Sequence, residues 1–122
     1  MSKILIVEDE ASLLTALVNR FTNAGFTVLT AKNGEEGLES ALKNQPDLIL
    51  LDIVMPILDG ITMYYRLRKD PRGKRAKVVL LTNMSNPVEV NTLLSSSVDG
   101  YLVKSDWKLD DIVKKVEEKL AK

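Results

Sequence analysis

Apolar positions recur along the 122-residue chain in two rhythms. Five short runs, Ile4 to Val7, Val28 to Ala31, Leu48 to Leu51, Val78 to Leu81 and Tyr101 to Val103, have the length of strands and are mostly rich in Val, Ile and Leu. Between and after them, apolar residues return at helical spacing: Leu13, Leu14, Leu17, Val18 and Phe21; Leu38, Ala41 and Leu42; Ile61, Tyr64 and Leu67; Val90, Leu93 and Leu94; Leu109, Ile112, Val113, Val116 and Leu120. The pattern predicts five strands and five helices in strict alternation. The stop signals agree with it. Gly25 follows the first helical segment, Asn33 and Glu36 have capping-box spacing, Asp59 can cap the third helix, and Asn86-Pro87 sets a cap before a proline at the first helical position.

Five βα units in succession imply a parallel sheet covered by helices on both faces, with right-handed crossovers. The first, third and fourth strands are the most continuously apolar, whereas Thr27-Val28-Leu29-Thr30 is flanked by polar residues as an edge strand would be. The expected fold class is therefore α/β, a flavodoxin-like doubly wound five-stranded parallel sheet of order 2-1-3-4-5 with five helices. The absence of an internal repeat, a low-complexity tract or a linker makes residues 1–122 one expected domain, with the last helix running almost to Lys122.

Composition narrows the chemistry by exclusion. The 17 Lys and Arg balance the 17 Asp and Glu, so the whole chain has no basic excess, and direct nucleic-acid binding is not expected. No Cys and no His are present, which removes disulfides, thiolate metal sites and His-based catalysis. The opening MSKILIVEDE lacks the long apolar segment of a signal peptide, and no run approaches the roughly 18 apolar residues of a membrane span. A cytoplasmic location without membrane association is the expectation.

In sheets of this order, ligands bind beyond the carboxyl ends of the strands, where the strand order reverses, here between the first and third strands. The first strand ends in Glu8-Asp9, the third in Asp52, the fourth in Thr82 and the fifth in Lys104. Three carboxylates so close together would repel one another unless a cation lay among them. Oxygen ligands without His or Cys suit Mg²⁺. An Asp can also act as a nucleophile toward a phosphoryl group, with an ammonium and a hydroxyl to meet the transferred charge. That accounts for the one carboxylate, Asp52, inside the otherwise apolar LILLDIVMPIL.

Taken in order, ILIVEDE, PDLILLDIVMPILDG, VVLLT and DGYLVK make the chain resemble, over essentially its whole length, the receiver domain of bacterial two-component response regulators. The resemblance implies a phosphorylation-controlled switch rather than a turnover enzyme. Asp52 would accept a phosphoryl group from the phosphohistidine of a sensor histidine kinase or phosphotransfer protein. Asp9 and Asp52 would bind Mg²⁺ directly, Glu8 directly or through water, and the backbone carbonyl of Val54 would be a further ligand. Lys104 would contact the phosphoryl group, and Thr82 would move to bond it. Tyr101 would then turn inward and reshape the face made by the fourth helix, fifth strand and fifth helix. Output would pass to a protein partner or through a homodimer formed by that face.

Several positions depart from the family pattern. Ser105 follows Lys104 where most members have a cis proline, and a non-proline cis bond costs about 3–4 kcal/mol, which argues against cis geometry here. Asn83 replaces a small residue beside the acyl phosphate, and Ser97 a common glycine. Val54 and Met84 flank the site and carry no polar group to position an attacking water, which implies slow loss of the phosphoryl group. The rival readings are a phosphorylation-independent pseudo-receiver and an aspartyl phosphatase. The phosphatases generally carry a second acid two residues after the nucleophile, where this chain has Val54, and a flavin site would rest on the fold alone.

Overall fold

The computed structural model describes residues 2–53, 55–82, 98–104 and 108–121, with Thr82 described at its backbone. Its elements are β1 (Lys3–Val7), α1 (Ala11–Asn23), β2 (Thr27–Ala31), α2 (Gly34–Asn44), β3 (Leu48–Asp52), α3 (Gly60–Lys69), β4 (Lys77–Thr82), β5 (Gly100–Val103) and α4 (Leu109–Leu120). The five strands pair in parallel in the order β2-β1-β3-β4-β5, as the sequence predicts. All five predicted strands are present, each within a residue of its predicted limits at either end. The fourth helical repeat, at Val90, Leu93 and Leu94, lies outside the described residues, so α4 carries the fifth.

Alternation along the strands builds two cores. Leu5, Val7, Ile49, Leu51, Val78 and Leu80 face α2 and α3, where they meet Ala41, Met63, Tyr64 and Leu67. Ile4, Ile6, Leu48, Leu50, Val79, Leu81 and Leu102 face α1 and α4, where they meet Leu14, Leu17, Phe21, Ile112, Val113 and Val116. Every residue of β3 is buried, as both-sided covering requires. The edge strand β2 keeps Thr27 and Thr30 exposed.

Local chemistry sets the element ends. Asn33 Oδ1 accepts from the Glu36 backbone N–H at 2.9 Å, while Glu36 reaches back to the Lys32 N–H and the Asn33 amide. Asp59 caps α3 by accepting from the Thr62 N–H at 2.8 Å. Helix α1 ends in a Schellman arrangement, with the Phe26 N–H donating to Phe21 O and the Gly25 N–H to Thr22 O. Phe21 and Phe26 close it with an edge-to-face contact at 5.2 Å between ring centroids.

Two glycines are required for different reasons. Gly25 has φ +97°, with open space around its missing Cβ. Gly60 has an ordinary backbone, but a Cβ there would lie 2.0 Å from the Asp52 carbonyl oxygen. We expect Gly25→Ala to cost about 1–2 kcal/mol, the left-handed penalty alone. Gly60→Ala must displace backbone at the site and should cost about 3 kcal/mol or more. Urea denaturation of both variants checks the order, and equal costs would contradict it.

Candidate functional site

Parallel register brings the acids together. Val7 pairs with Leu51, so the next residues of the two strands, Glu8 and Asp52, emerge side by side at the carboxyl edge. Glu8 continues the alternation of Ile4 and Ile6, Asp52 that of Leu48 and Leu50, and Lys104 that of Leu102, so all three start from the sheet face covered by α1 and α4. Lys104 begins beyond β5 and reaches over β4, a span that calls for a long side chain. Its Nζ lies 2.6 Å from Glu8 Oε1 and 3.3 Å from Asp52 Oδ2.

Two of the three acids are buried. Glu8 is 1% exposed and Asp52 5%, whereas Asp9 is exposed. Glu8 Oε2 accepts from the Glu10 N–H at 2.9 Å. Glu8 Oε1, despite its short ion-pair distance to Lys104, lies off the hydrogen-bonding direction and accepts no hydrogen bond. Glu8 and Asp52 share this one ammonium, so the pair of carboxylates still calls for a further cation.

Two carboxylates and one ammonium leave negative charge uncompensated. Burial, and then the adjacent Glu8 charge, push the Asp52 carboxyl up to about 7, against the lowering pull of Lys104. For Lys104 the largest single influence, burial, acts downward, yet the two carboxylates it pairs with, Glu8 and Asp52, together outweigh it, and its pKa is raised.

One carboxylate oxygen from each of Glu8, Asp9 and Asp52 can be taken so that all three lie within 4.8 Å of one another. This all-oxygen donor set fits a hard divalent cation. Of the other predicted site residues, Thr82 ends β4 with its backbone paired to Val103. Tyr101 lies on β5, 37% exposed. Val54, Asn83, Met84, Ser97 and Ser105 lie outside the described residues.

The acids are not the whole site. Both loops bordering it lead into helices whose first residue is a buried glycine, Gly34 and Gly60. The Gly34 N–H donates to Leu58 O and the Gly60 N–H to Ile53 O, so the loop after Asp52 is tied at both ends. A Cβ on Gly34 would lie 2.1 Å from Leu58 O. Between the ties Ile57 takes φ +68° and is 76% exposed, inside a turn closed by the Leu58 N–H on Pro56 O. Sequence reading missed these glycines, although a cap followed at once by Gly, in Asn33-Gly34 and Asp59-Gly60, was the available signal.

The fold and this edge define a doubly wound signalling domain with an acidic pocket crossed by one lysine. The family model of the response regulator receiver domain matches residues 4–117, and the chain belongs to that family. It is a receiver domain of two-component signalling, a switch rather than a turnover enzyme. It is 36% identical over 104 residues to the transcriptional regulatory protein AfsQ1 of Streptomyces coelicolor, a match covering 85% of this chain and 45% of that protein. It is 35% identical over 120 residues to the transcriptional regulatory protein PrrA of Mycobacterium tuberculosis, covering 98% of this chain and 50% of PrrA. The chain thus spans about half the length of these relatives. Among solved structures, the Vibrio cholerae chemotaxis protein CheY4 superposes with a TM-score of 0.88 at 27% identity, covering 97% of this chain and 98% of CheY4. No helix among the described residues is long and apolar enough to cross a membrane.

The raised Asp52 value has a signed consequence. Between the ordinary 3.8 and about 7, the folded protein keeps a proton that the unfolded chain has lost. This contribution to stability is fully present below about pH 4 and is lost as pH rises through about 7. In EDTA at pH 8, Asp52→Asn should therefore be more stable than wild type by on the order of 1–2 kcal/mol, about 3–8 °C in Tm, with the gap closing toward pH 5. Thermal melts across that range check it, and a destabilised Asp52→Asn at pH 8 would contradict the crowding.

Proposed function

We propose that residues 1–122 form one receiver domain that accepts a phosphoryl group on Asp52 and passes the change to a protein partner. The observation that carries this reading is the buried Glu8 and Asp52 pair bridged by Lys104, with Asp9 beside it, at the carboxyl edge between β1 and β3.

The donor is a phosphohistidine on a sensor histidine kinase or phosphotransfer protein. A carboxylate oxygen of Asp52 attacks phosphorus and forms the new P–O bond. The P–N bond breaks, and its electron pair stays on the imidazole nitrogen, which takes up a proton. Asp52 must be ionised to attack, and its raised pKa opposes this until more positive charge enters the pocket. Glu8, Asp9, Asp52 and the Val54 backbone carbonyl would hold Mg²⁺. When bound, Mg²⁺ neutralises the acid cluster and the charge developing on the phosphoryl oxygens. Lys104, already at the pocket, meets the phosphoryl oxygens once they displace it from Asp52.

The acyl phosphate favours the conformer in which Thr82 and Lys104 both bond it. Tyr101, exposed on β5, turns inward in that conformer. This changes the face to which β5 and α4 contribute, with the predicted fourth helix lying outside the described residues, and that face serves an output protein or a second copy of the chain. The apolar Val54 and Met84 keep the phosphoryl group long-lived, in a domain working in the cytoplasm.

Intact mass after incubation with acetyl phosphate tests the acceptor. Wild type should gain one phosphoryl adduct in the presence of Mg²⁺ and none in EDTA, and Asp52→Ala none in either. No adduct on wild type, with the donor shown active on a control receiver, would favour the pseudo-receiver. Separately, 10 mM Mg²⁺ should raise the wild-type Tm by a few degrees and that of Asp52→Asn by less. Equal shifts would remove Asp52 from the ligand set.

A further inference from the structure

The zero net charge of the chain is an average over two unlike parts. The 14 residues from Tyr64 to Lys77 hold seven of the 17 cationic side chains and one of the 17 acids, so this segment carries +6 and the remainder −6. It is one continuous piece of structure, the later part of α3 and the turn into β4.

Three of its cations are engaged within the fold. Arg68 donates to Gly73 O at 2.9 Å and to Ala76 O at 2.8 Å, and its guanidinium lies 4.9 Å from the Tyr64 ring centroid. Lys77 Nζ donates to Lys119 O at 2.8 Å, and Arg72 pairs with Asp70. The other four, Arg66, Lys69, Lys74 and Arg75, are exposed and have no hydrogen-bond or ion-pair partner among the described residues.

We infer that this surface docks a nucleic-acid backbone. Four unpaired like charges within ten residues repel one another, and an external polyanion relieves all of them at once. The surface is also held in shape. Arg68 clamps the turn through two carbonyls, and Gly73 is needed there because a Cβ would lie 2.3 Å from Leu67 O. Tyr65, 39% exposed and adjacent to Arg66, adds a ring that can pack on sugar or base. Arg, Lys and Tyr exposed along one continuous segment are a set that positions a protein on phosphates without reading bases.

Other polyanions fit less well. An anionic bilayer calls for inserted apolar side chains, and Ile57, the most exposed large hydrophobic among the described residues, lies in the loop at the Asp52 edge. A protein partner calls for an apolar centre, for which this face offers Tyr65 alone among the large exposed hydrophobics. Because the helices run back against the parallel strands, the surface lies at the amino end of the sheet, opposite Asp52. Occupying it leaves the acidic pocket free, and the inference stands independently of phosphoryl transfer.

The test is fluorescence anisotropy of the whole chain with labelled 20-base-pair duplex DNA and a single strand of equal length, in EDTA, from 20 to 200 mM salt. Binding in the micromolar range is expected at low salt. For duplex, log K should fall against log salt with a slope of about −3 to −4, as neutralisation of about four phosphates requires. Arg66→Glu with Arg75→Glu should weaken binding at least tenfold. Lys43→Glu with Lys114→Glu makes the same change in net charge on α2 and α4 and should weaken it less than threefold. Thermal melts establish that both double variants fold. Equal losses in the two, or no binding to either DNA at 20 mM salt, would overturn the inference. So would retention on poly-glutamate or phosphatidylserine vesicles without DNA binding.

Discussion

Two buried carboxylates held side by side at the end of a parallel sheet are the constraint around which this domain is organised. Glu8 and Asp52 follow directly on the last β1–β3 pair, so the closeness of their backbones is a property of register. Burial removes the water that would screen them. Lys104 supplies one positive charge against two, and one oxygen of Glu8 remains without a hydrogen bond. The hydrophobic cores on both faces of the sheet hold the strands in the register that enforces this arrangement.

That conflict explains why the surroundings are built so tightly. The loop after Asp52 is fastened through backbone bonds involving Gly34 and Gly60, at positions where a Cβ would strike a carbonyl oxygen. A looser loop would let water reach the carboxylates and return the Asp52 pKa toward its ordinary value. The raised pKa in turn makes the acceptor responsive, because any cation entering the pocket changes its ionisation. Packing, strain and reactivity at this edge are therefore linked through the charge of one side chain.

Charge is also divided along the length of the sheet. Acids gather at the carboxyl edge, and the Tyr64–Lys77 segment concentrates cations near the amino end. At both places one long basic side chain is drawn inward to organise backbone or carboxylates, Lys104 at one and Arg68 at the other. The two ends are separated by the length of the sheet, and direct charge coupling between them is weakened by distance and salt.

Much of the fold was legible in the chain alone, because hydrophobic periodicity and turn chemistry are local. The strand runs, the Asn33 and Asp59 caps and the polar flanks of the edge strand led to the order 2-1-3-4-5. The residues at the strand ends were legible too, since a known strand order says which ends meet. Tertiary structure alone decided that Glu8 is buried while Asp9 is exposed, because side-chain burial depends on what the neighbouring strands and loops cover. It also decided that Lys104 bridges Glu8 and Asp52, and that Gly34 and Gly60 fasten the loop, since these contacts join residues far apart in the chain. The basic segment could have been found by counting charge in windows, whereas the whole-chain total conceals it. Which of its cations are left unpaired depended on where Arg68, Arg72 and Lys77 found partners in the folded molecule.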